Sequence, residues 1–144
     1  METVIVINKG RESFDDAAHL RQEVFVLEQG FVDEFDDIDD IAWHVTMYLN
    51  KECIGVGRVF AFDLQPDEFH IGRLAIKKPY RNKGYGRVIM NELEKIAMAN
   101  MAIRIVLSAQ VQALDFYRSC GYQDDGETYL DQHEPHQKMV KLPD

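Results

Sequence analysis

Arg81, Asn82, Lys83, Gly84, Tyr85 and Gly86 stand in a row, and these residue types suit a bound anion. Glycines just ahead of a helix let the backbone turn tightly and bring its free N–H groups close to a ligand. The first N–H groups of a helix lack intrahelical partners, and the helix dipole adds partial positive charge there. A diphosphate fits such an end. The side chains of Arg81, Lys83 and Arg87 would add charge-assisted contacts. Residues 69–91 hold six bases and no acid, a local charge of +6, while the rest of the chain sums to −15. That contrast points to a local anion site on an acidic protein, although a solvated basic face would carry the same charge. The loop has no Gly-Lys-Ser/Thr of a P-loop, and no Gly-x-Gly-x-x-Gly opening a dinucleotide-binding unit.

Other residues could also do chemistry. Six of the eight residues at 33–40 are acids. The glycine and closing glutamate of a calcium-binding EF-hand loop are missing. Three readings remain: a solvated loop, a weak cation site, or a patch that steers a cationic substrate. His44 and His70 precede strand residues and could face a cleft. His133 and His136 have only Glu134 beside them and no cysteine, so no metal is expected, and the stretch reads as a turn entering the last strand. Cys53 and Cys120 are expected as two buried thiols rather than a disulfide.

The elements that must position these residues follow from periodicity. Residues 3–7 read as a strand. Ser13 reads as a helix N-cap with Asp16 as its capping-box partner, Ala17, Leu20, Val24 and Leu27 recur at helical spacing, and Gly30 suits the stop. Strands at 45–49 and 54–62 form a hairpin around 50–52, where Gly55 and Gly57 point to a bulge or close packing. A turn at 65–67 leads to a strand at 69–76 and then to the basic loop. A helix at 86–99 carries Ile89, Leu93, Ile96 and Ala97 on one stripe. A strand at 103–109, a short helix at 112–120 and two further strands within 122–142 complete the order. That order predicts an α/β fold, a mixed central sheet flanked by helices, in one domain over 1–144. A chain of 144 residues buries about 70% of its unfolded surface, enough to fold without staples. The longest aliphatic run, 4–7, is far short of a membrane span. The net charge of −9 disfavours nucleic acid and anionic membranes as partners. Glu2 sits where an export signal carries bases, so the cytoplasm is the expected compartment.

With that order in place, the chain resembles the GNAT family of N-acetyltransferases. The family's Arg/Gln-x-x-Gly-x-Gly/Ala motif follows its fourth strand, and 81–86 match each fixed position. Phe116-Tyr117-Arg118-Ser119-Cys120-Gly121-Tyr122 resembles its second hallmark, a short helix ending in tyrosine with a closing Gly-Tyr. Arg21, Val24-Phe25-Val26, Glu28-Gln29, the acids near Asp36 and Asp39, His44, Gly72-Arg73-Leu74-Ala75-Ile76 and Ala109-Gln110 resemble the ElaA/YjcF-like branch. Gln110 stands where the family often has asparagine and offers the same amide on a longer arm. The resemblance implies transfer of acetyl from acetyl-CoA to a primary amine, on a small molecule or a peptide, by direct attack in a ternary complex. It implies that the backbone of 81–86 and of Arg87 holds the pyrophosphate. Leu74, Ala75 and Ile76 would pair with the pantetheine arm where two strands splay, with Gln110 and Phe116 beside it. Tyr117 is the expected general acid, a phenol of pKa about 10 serving a thiolate near 8.5. The base is expected among Glu28, His44, Glu34 and His70, or a water held by one of them, with Glu28 and His44 foremost. Dimers are common in the family, which allows a homodimer. The alternative is a non-catalytic acyl-CoA-binding module on the same fold.

Overall fold

Runs of β-branched and aliphatic residues build an eight-stranded sheet. The computed structural model describes residues 2–32 and 34–143; Asp33, the first acid of the 33–40 run, lies outside them. β1 (Thr3–Lys9), β2 (Trp43–Leu49), β3 (Glu52–Phe62) and β4 (Gln65–Ile76) form an antiparallel meander. β4 then pairs in parallel with β5 (Arg104–Gln110), and β5 pairs antiparallel with β8 (Glu134–Lys141). β6 (Gln123–Asp124) and β7 (Tyr129–Asp131) both line the far edge of β8. The sheet is mixed, as expected. The tail holds three strands rather than two, because segments of two and three residues are too short for alternation to reveal.

The two faces of the sheet are covered differently. α3 (Tyr85–Ala99) buries Ile89, Met90, Leu93 and Ala97 against Val45, Met47, Ile105 and Leu107, with α4 (Leu114–Ser119) beside it. α1 (Asp15–Arg21) buries Ala17 and Leu20 on the other face with Val56, Ala75 and Phe31. α2 (Ile38–Ile41) is a single turn within the acidic run. α3 lies so close to β3 that a Cβ on Gly55 would come within 2.6 Å of Ile89 Cδ1, and one on Gly57 within 2.7 Å of Leu93 Cδ1. Close packing is therefore what those glycines permit.

Two helix expectations fail. Ser13 is no cap: it takes a left-handed φ of 55°, and α1 starts after Phe14 with no side-chain cap. Asp16 instead accepts a hydrogen bond from the Tyr48 hydroxyl at 2.7 Å. Leu27 is 74% exposed. The cause is that α1 runs on into a π-helical segment, Gln22–Glu28. Its wider turns advance each residue less around the axis, so Phe25 turns inward and Leu27 turns out. Gly30, at φ 78°, ends the segment as expected.

Candidate active site

The β4–β5 pairing starts at Glu68↔Arg104 and stops at Ile71↔Leu107, although β4 runs on to Ile76 and β5 to Gln110. Beyond that point β4 stays with β3, and β5 stays with β8. The divergence begins at a bulge. Arg58 opposes Gly72 and Val56 opposes Ala75, so Arg73 and Leu74 stand against Gly57 alone, and Arg73 takes φ 54°. An extra residue of this kind bends its strand away from the neighbour. The β4 edge at 72–76 therefore faces a gap instead of a strand.

That gap opens into a cleft of 1360 Å³. Leu74, Ala75 and Ile76 form one wall, and Gln110, Phe116 and Tyr117 stand across it. At its far end lie Arg81, Asn82, Gly84, Tyr85, Gly86 and Arg87. Lys83 belongs to the same loop but points outside the lining. Gly84 is the N-cap of α3 at φ 87°, and the first intrahelical bond runs from Val88 N–H to its carbonyl at 3.4 Å. The N–H groups from Gly84 to Arg87 thus precede the helical ladder. A Cβ on Gly84 would meet nothing within 4 Å, so the loop surface there is open. A Cβ on Gly86 would sit 3.2 Å from Phe116 Cζ, so this glycine lets α4 approach α3.

The basic side chains are largely engaged within the protein. Arg81 donates to the Ile76 carbonyl at 2.8 Å and forks onto Glu28 at 2.6 and 2.7 Å. Arg87 bonds the Ser119 hydroxyl at 2.6 Å. Lys77 pairs with Glu52 at 2.7 Å. The expected reach of Arg81 and Arg87 side chains toward an anion therefore gives way to contacts that brace the loop. The backbone N–H groups and the exposed Lys83 remain for a ligand.

The expected catalytic groups separate. Tyr117 reaches the cleft from α4, half-buried, with its ring against Phe116 and Tyr122. Burial pushes its phenol well above the ordinary value. Glu28 also lines the cleft, brought there by the π-helical segment, but the fork from Arg81 holds its carboxyl below the usual range. His44 does not line the cleft. It is buried behind Phe14 with Nε2 3.0 Å from the Asp39 carbonyl oxygen, and burial pushes its imidazole down. Gln110 donates to Gln29 Oε1 at 2.8 Å, so its long arm is tied to the π-helical segment's end.

The solvated-loop reading holds for part of the acidic run, since Asp37 and Asp40 are exposed. Glu34, Asp36 and Asp39 instead pair with arginines, and Glu34 and Asp39 are buried. Arg21, 1% exposed, bonds Glu34 Oε2 at 3.0 Å and Asp39 Oδ1 at 2.8 Å. Arg58 bonds Asp36 Oδ1 at 2.7 Å and Asp39 Oδ1 at 2.8 Å, and Arg73 meets Glu34 Oε2 at 2.8 Å. Burial alone would raise Asp39, but the bonds from Arg21 and Arg58 outweigh it and hold that carboxyl low. For Glu34 burial wins, and its carboxyl is raised despite Arg73 and Arg21. The network anchors the segment that roofs the cleft next to Arg58 and Arg73. Among the described residues no group of three or more His, Cys, Asp or Glu is placed to hold a metal ion.

The sequence drew no attention to the lining residues Phe31, Phe60 and Tyr129, and it read His136, which also lines the cleft, as part of a turn. All lie on the sheet face opposite α3, together with His70. Their shared side depends on strand parity and register across β3, β4, β5 and β8, and no local motif carries that.

Comparison with known proteins agrees with this geometry. The Acetyltransferase (GNAT) family model matches residues 12–122. The uncharacterized N-acetyltransferase YjcF of Bacillus subtilis (strain 168) is 34% identical over 139 residues, covering 94% of this chain and 97% of the relative. The crystal structure of Escherichia coli ElaA superposes with a TM-score of 0.87 at 23% identity, covering 97% of this chain and 99% of that one. An aminoglycoside 6'-N-acetyltransferase crystallised with coenzyme A superposes at 0.74 with 15% identity, covering 96% of this chain and 99% of that one. A matched family profile that spans most of the chain, joined to a relative aligned nearly end to end, places it plainly: the chain belongs to the GNAT family of acetyltransferases, in the branch that includes YjcF and ElaA.

Proposed function

We propose that this protein transfers an acetyl group from acetyl-CoA to a primary amine, with both substrates bound together. The observation that carries the reading is the continuity of one cleft. It runs from the open β4 edge at 72–76 to the bare N-terminus of α3, with Tyr117 beside it. These features fit an acyl-CoA. The N–H groups from Gly84 to Arg87 suit its diphosphate. The β4 backbone at Leu74, Ala75 and Ile76 suits its amide-bearing arm, as an added strand would. Gln110 and Phe116 face that arm, and the loop residues Arg81, Asn82, Lys83 and Tyr85 shape the phosphate end.

Acetyl-CoA supplies an activated acyl carbon and a thiolate leaving group. A backbone N–H on the open β4 edge can hold the thioester oxygen as charge builds on it, a contact worth about 10²–10³ in rate. Tyr117 protonates the departing sulfur. Burial weakens this phenol as an acid, yet the same dry slot also destabilises the thiolate, so both proton affinities rise together. Cysteine chemistry has little support. Neither thiol lines the cleft, and burial pushes Cys53 up to about 11. Direct attack within a ternary complex fits better than an acyl-enzyme. The acceptor enters over the sheet face lined by Phe31, Phe60, His70 and Tyr129. Glu34, Asp36 and Asp39 are spent on arginines, which leaves Asp37 and Asp40 as the exposed acids of the described run. The reading keeps the cytoplasm as the working compartment and a small-molecule or peptide amine as the acceptor.

The test is calorimetric titration with acetyl-CoA beside Gly84→Glu, followed by a screen of primary amines for CoA release. Micromolar binding that the substitution abolishes, with turnover on an amine, is the expected result. Binding without turnover on any amine would favour a non-catalytic acyl-CoA module. No binding would refute the reading.

A further inference from the structure

We propose that His136 is the general base that removes the acceptor's proton; this rests on the acetyltransfer reading above. Three observations carry it. The first is level. The last β4–β5 pair is Ile71↔Leu107, so Leu74 and Gln110 each stand three residues past it, on the two lips of the gap. β8 sets His136 directly opposite Gln110. His136 therefore lies one strand, about 4.8 Å, beyond Gln110 on the β5 lip, and about two strand spacings from a thioester held in the gap.

The second is side. Met139 packs in the core with α3, and Lys141 bonds Glu94 of α3 at 3.1 Å. Residues on a strand alternate, so His136 faces the other way, into the acceptor side of the cleft beside Phe31 and Tyr129. Tyr117 comes from α4, on the α3 face. A base above the thioester and an acid below it is the arrangement that aminolysis needs.

The third is the free lone pair. His136 Nδ1 is 2.9 Å from the Glu134 carbonyl oxygen, which only accepts, so Nδ1 carries the proton. In the neutral ring Nε2 then offers its lone pair, and it has no hydrogen-bond partner among the described residues. The ring is 6% exposed and held between Phe31 and Tyr129, each 6.1 Å from it. Asp131 also lines the cleft but is exposed, and the other competing bases are committed elsewhere. Glu28 holds Arg81, Glu34 holds Arg21 and Arg73, and His133 Nε2 bonds the Gln29 carbonyl at 2.7 Å. His70 lies flat on Phe60 within the paired part of β4, below the gap.

In the step itself the amine nitrogen forms a bond to the acyl carbon, and its proton passes through bridging water to His136 Nε2. The C–S bond then breaks with its electron pair on sulfur, and Tyr117 gives its proton to that sulfur. Water takes the proton from His136 and returns one to Tyr117, which balances the cycle.

The experiment compares wild type with His136→Asn, whose amide nitrogen can keep the bond to Glu134, and with His136→Gln. Acetyl-CoA affinity is read by calorimetry, and CoA release by thiol assay. The acceptors are primary alkylamines, a polyamine, a lysine peptide and the weakly basic hydroxylamine. We expect acetyl-CoA Kd to hold within about twofold. Turnover with alkylamines should fall about 10²-fold, and with hydroxylamine about tenfold or less, because its adduct gives up a proton readily. Unchanged turnover with alkylamines would overturn the proposal, as would an equal loss on every amine or a loss confined to acetyl-CoA binding. Wild type that fails to bind acetyl-CoA would sink the underlying reading first. Wild type that binds it yet acetylates none of these amines overturns the proposal together with the transfer reading, whereas turnover that the substitutions leave unchanged overturns the proposal alone.

Discussion

Gly84 allows the phosphate end of the cleft to be tested by charge alone. It is the N-cap of α3 with φ 87°, and a Cβ there meets nothing within 4 Å. A left-handed φ costs an L-residue about 1–2 kcal/mol, and Asn and Asp bear it best among non-glycine residues. Gly84→Asn and Gly84→Asp therefore share shape and strain and differ by one charge. The new carboxylate would stand about 6 Å from a diphosphate carrying two charges. Coulomb's law gives about 1.4 kcal/mol of repulsion in water and about 5.5 kcal/mol at an effective dielectric of 20. The site is open, so the lower figure governs, and acetyl-CoA should bind the Asp variant about 10-fold more weakly than the Asn variant. Screening should shrink that ratio as salt rises from about 0.1 M to 1 M, where the Debye length falls from about 10 to 3 Å. Calorimetry at both salt levels reads it directly. A ratio below about twofold at low salt would place the diphosphate elsewhere and refute the assignment of the α3 N-terminus.

Tyr117→Phe should lower kcat about 10²-fold with acetyl-CoA Kd unchanged, since a thiolate can still leave unaided; rapid-mixing kinetics with unchanged kcat would remove Tyr117 as the acid. Asp39→Ala takes one of two carboxylates from each of the buried Arg21 and Arg58 and should cost about 1.5–3 kcal/mol in urea unfolding; a loss under about 1 kcal/mol would mean the network is solvated. Acid should destabilise the fold through His44, whose imidazole is pushed below its ordinary 6.5 by burial. Below that value the unfolded chain binds the proton that the fold refuses, so this contribution is present above pH 6.5 and is lost as pH falls toward the lowered folded value. Tm should decline from about pH 7 to pH 5, and His44→Gln should flatten the decline. Glu34, raised by burial, works in the opposite sense, and the comparison of the two proteins cancels it. A steeper decline in the variant would contradict this account.

What could be read from the sequence divides along the distance over which each feature is decided. The 81–86 loop was legible because its glycines, bases and following helix are neighbours, and one turn of backbone contains the whole argument. The order of strands and helices was legible for a similar reason, since alternation and turns are local, while the splay was implied only by the family resemblance that the loop and the contiguous 116–122 carry. Glu34, Asp36 and Asp39 of the acidic run were misread because the partners that neutralise them lie 13 to 39 residues away, at Arg21, Arg58 and Arg73. A charge run carries no mark of whether its counterions will come from salt or from the chain. Leu27 was misread because a π-helical segment breaks the 3.6-residue rule without any glycine or proline to announce it. His136 was set aside as part of a turn, because its side of the sheet depends on the parity of β8 and its level depends on registers set by β4, β5 and β8. The bulge at Arg73 joins these failures. It breaks the β4–β5 ladder to open the cleft, and it also directs Arg73 onto Glu34, tying the acidic segment beside the opening. The feature that makes room for a substrate and the buried charges that hold that room's wall are therefore one structural event, centred on Arg73 of β4.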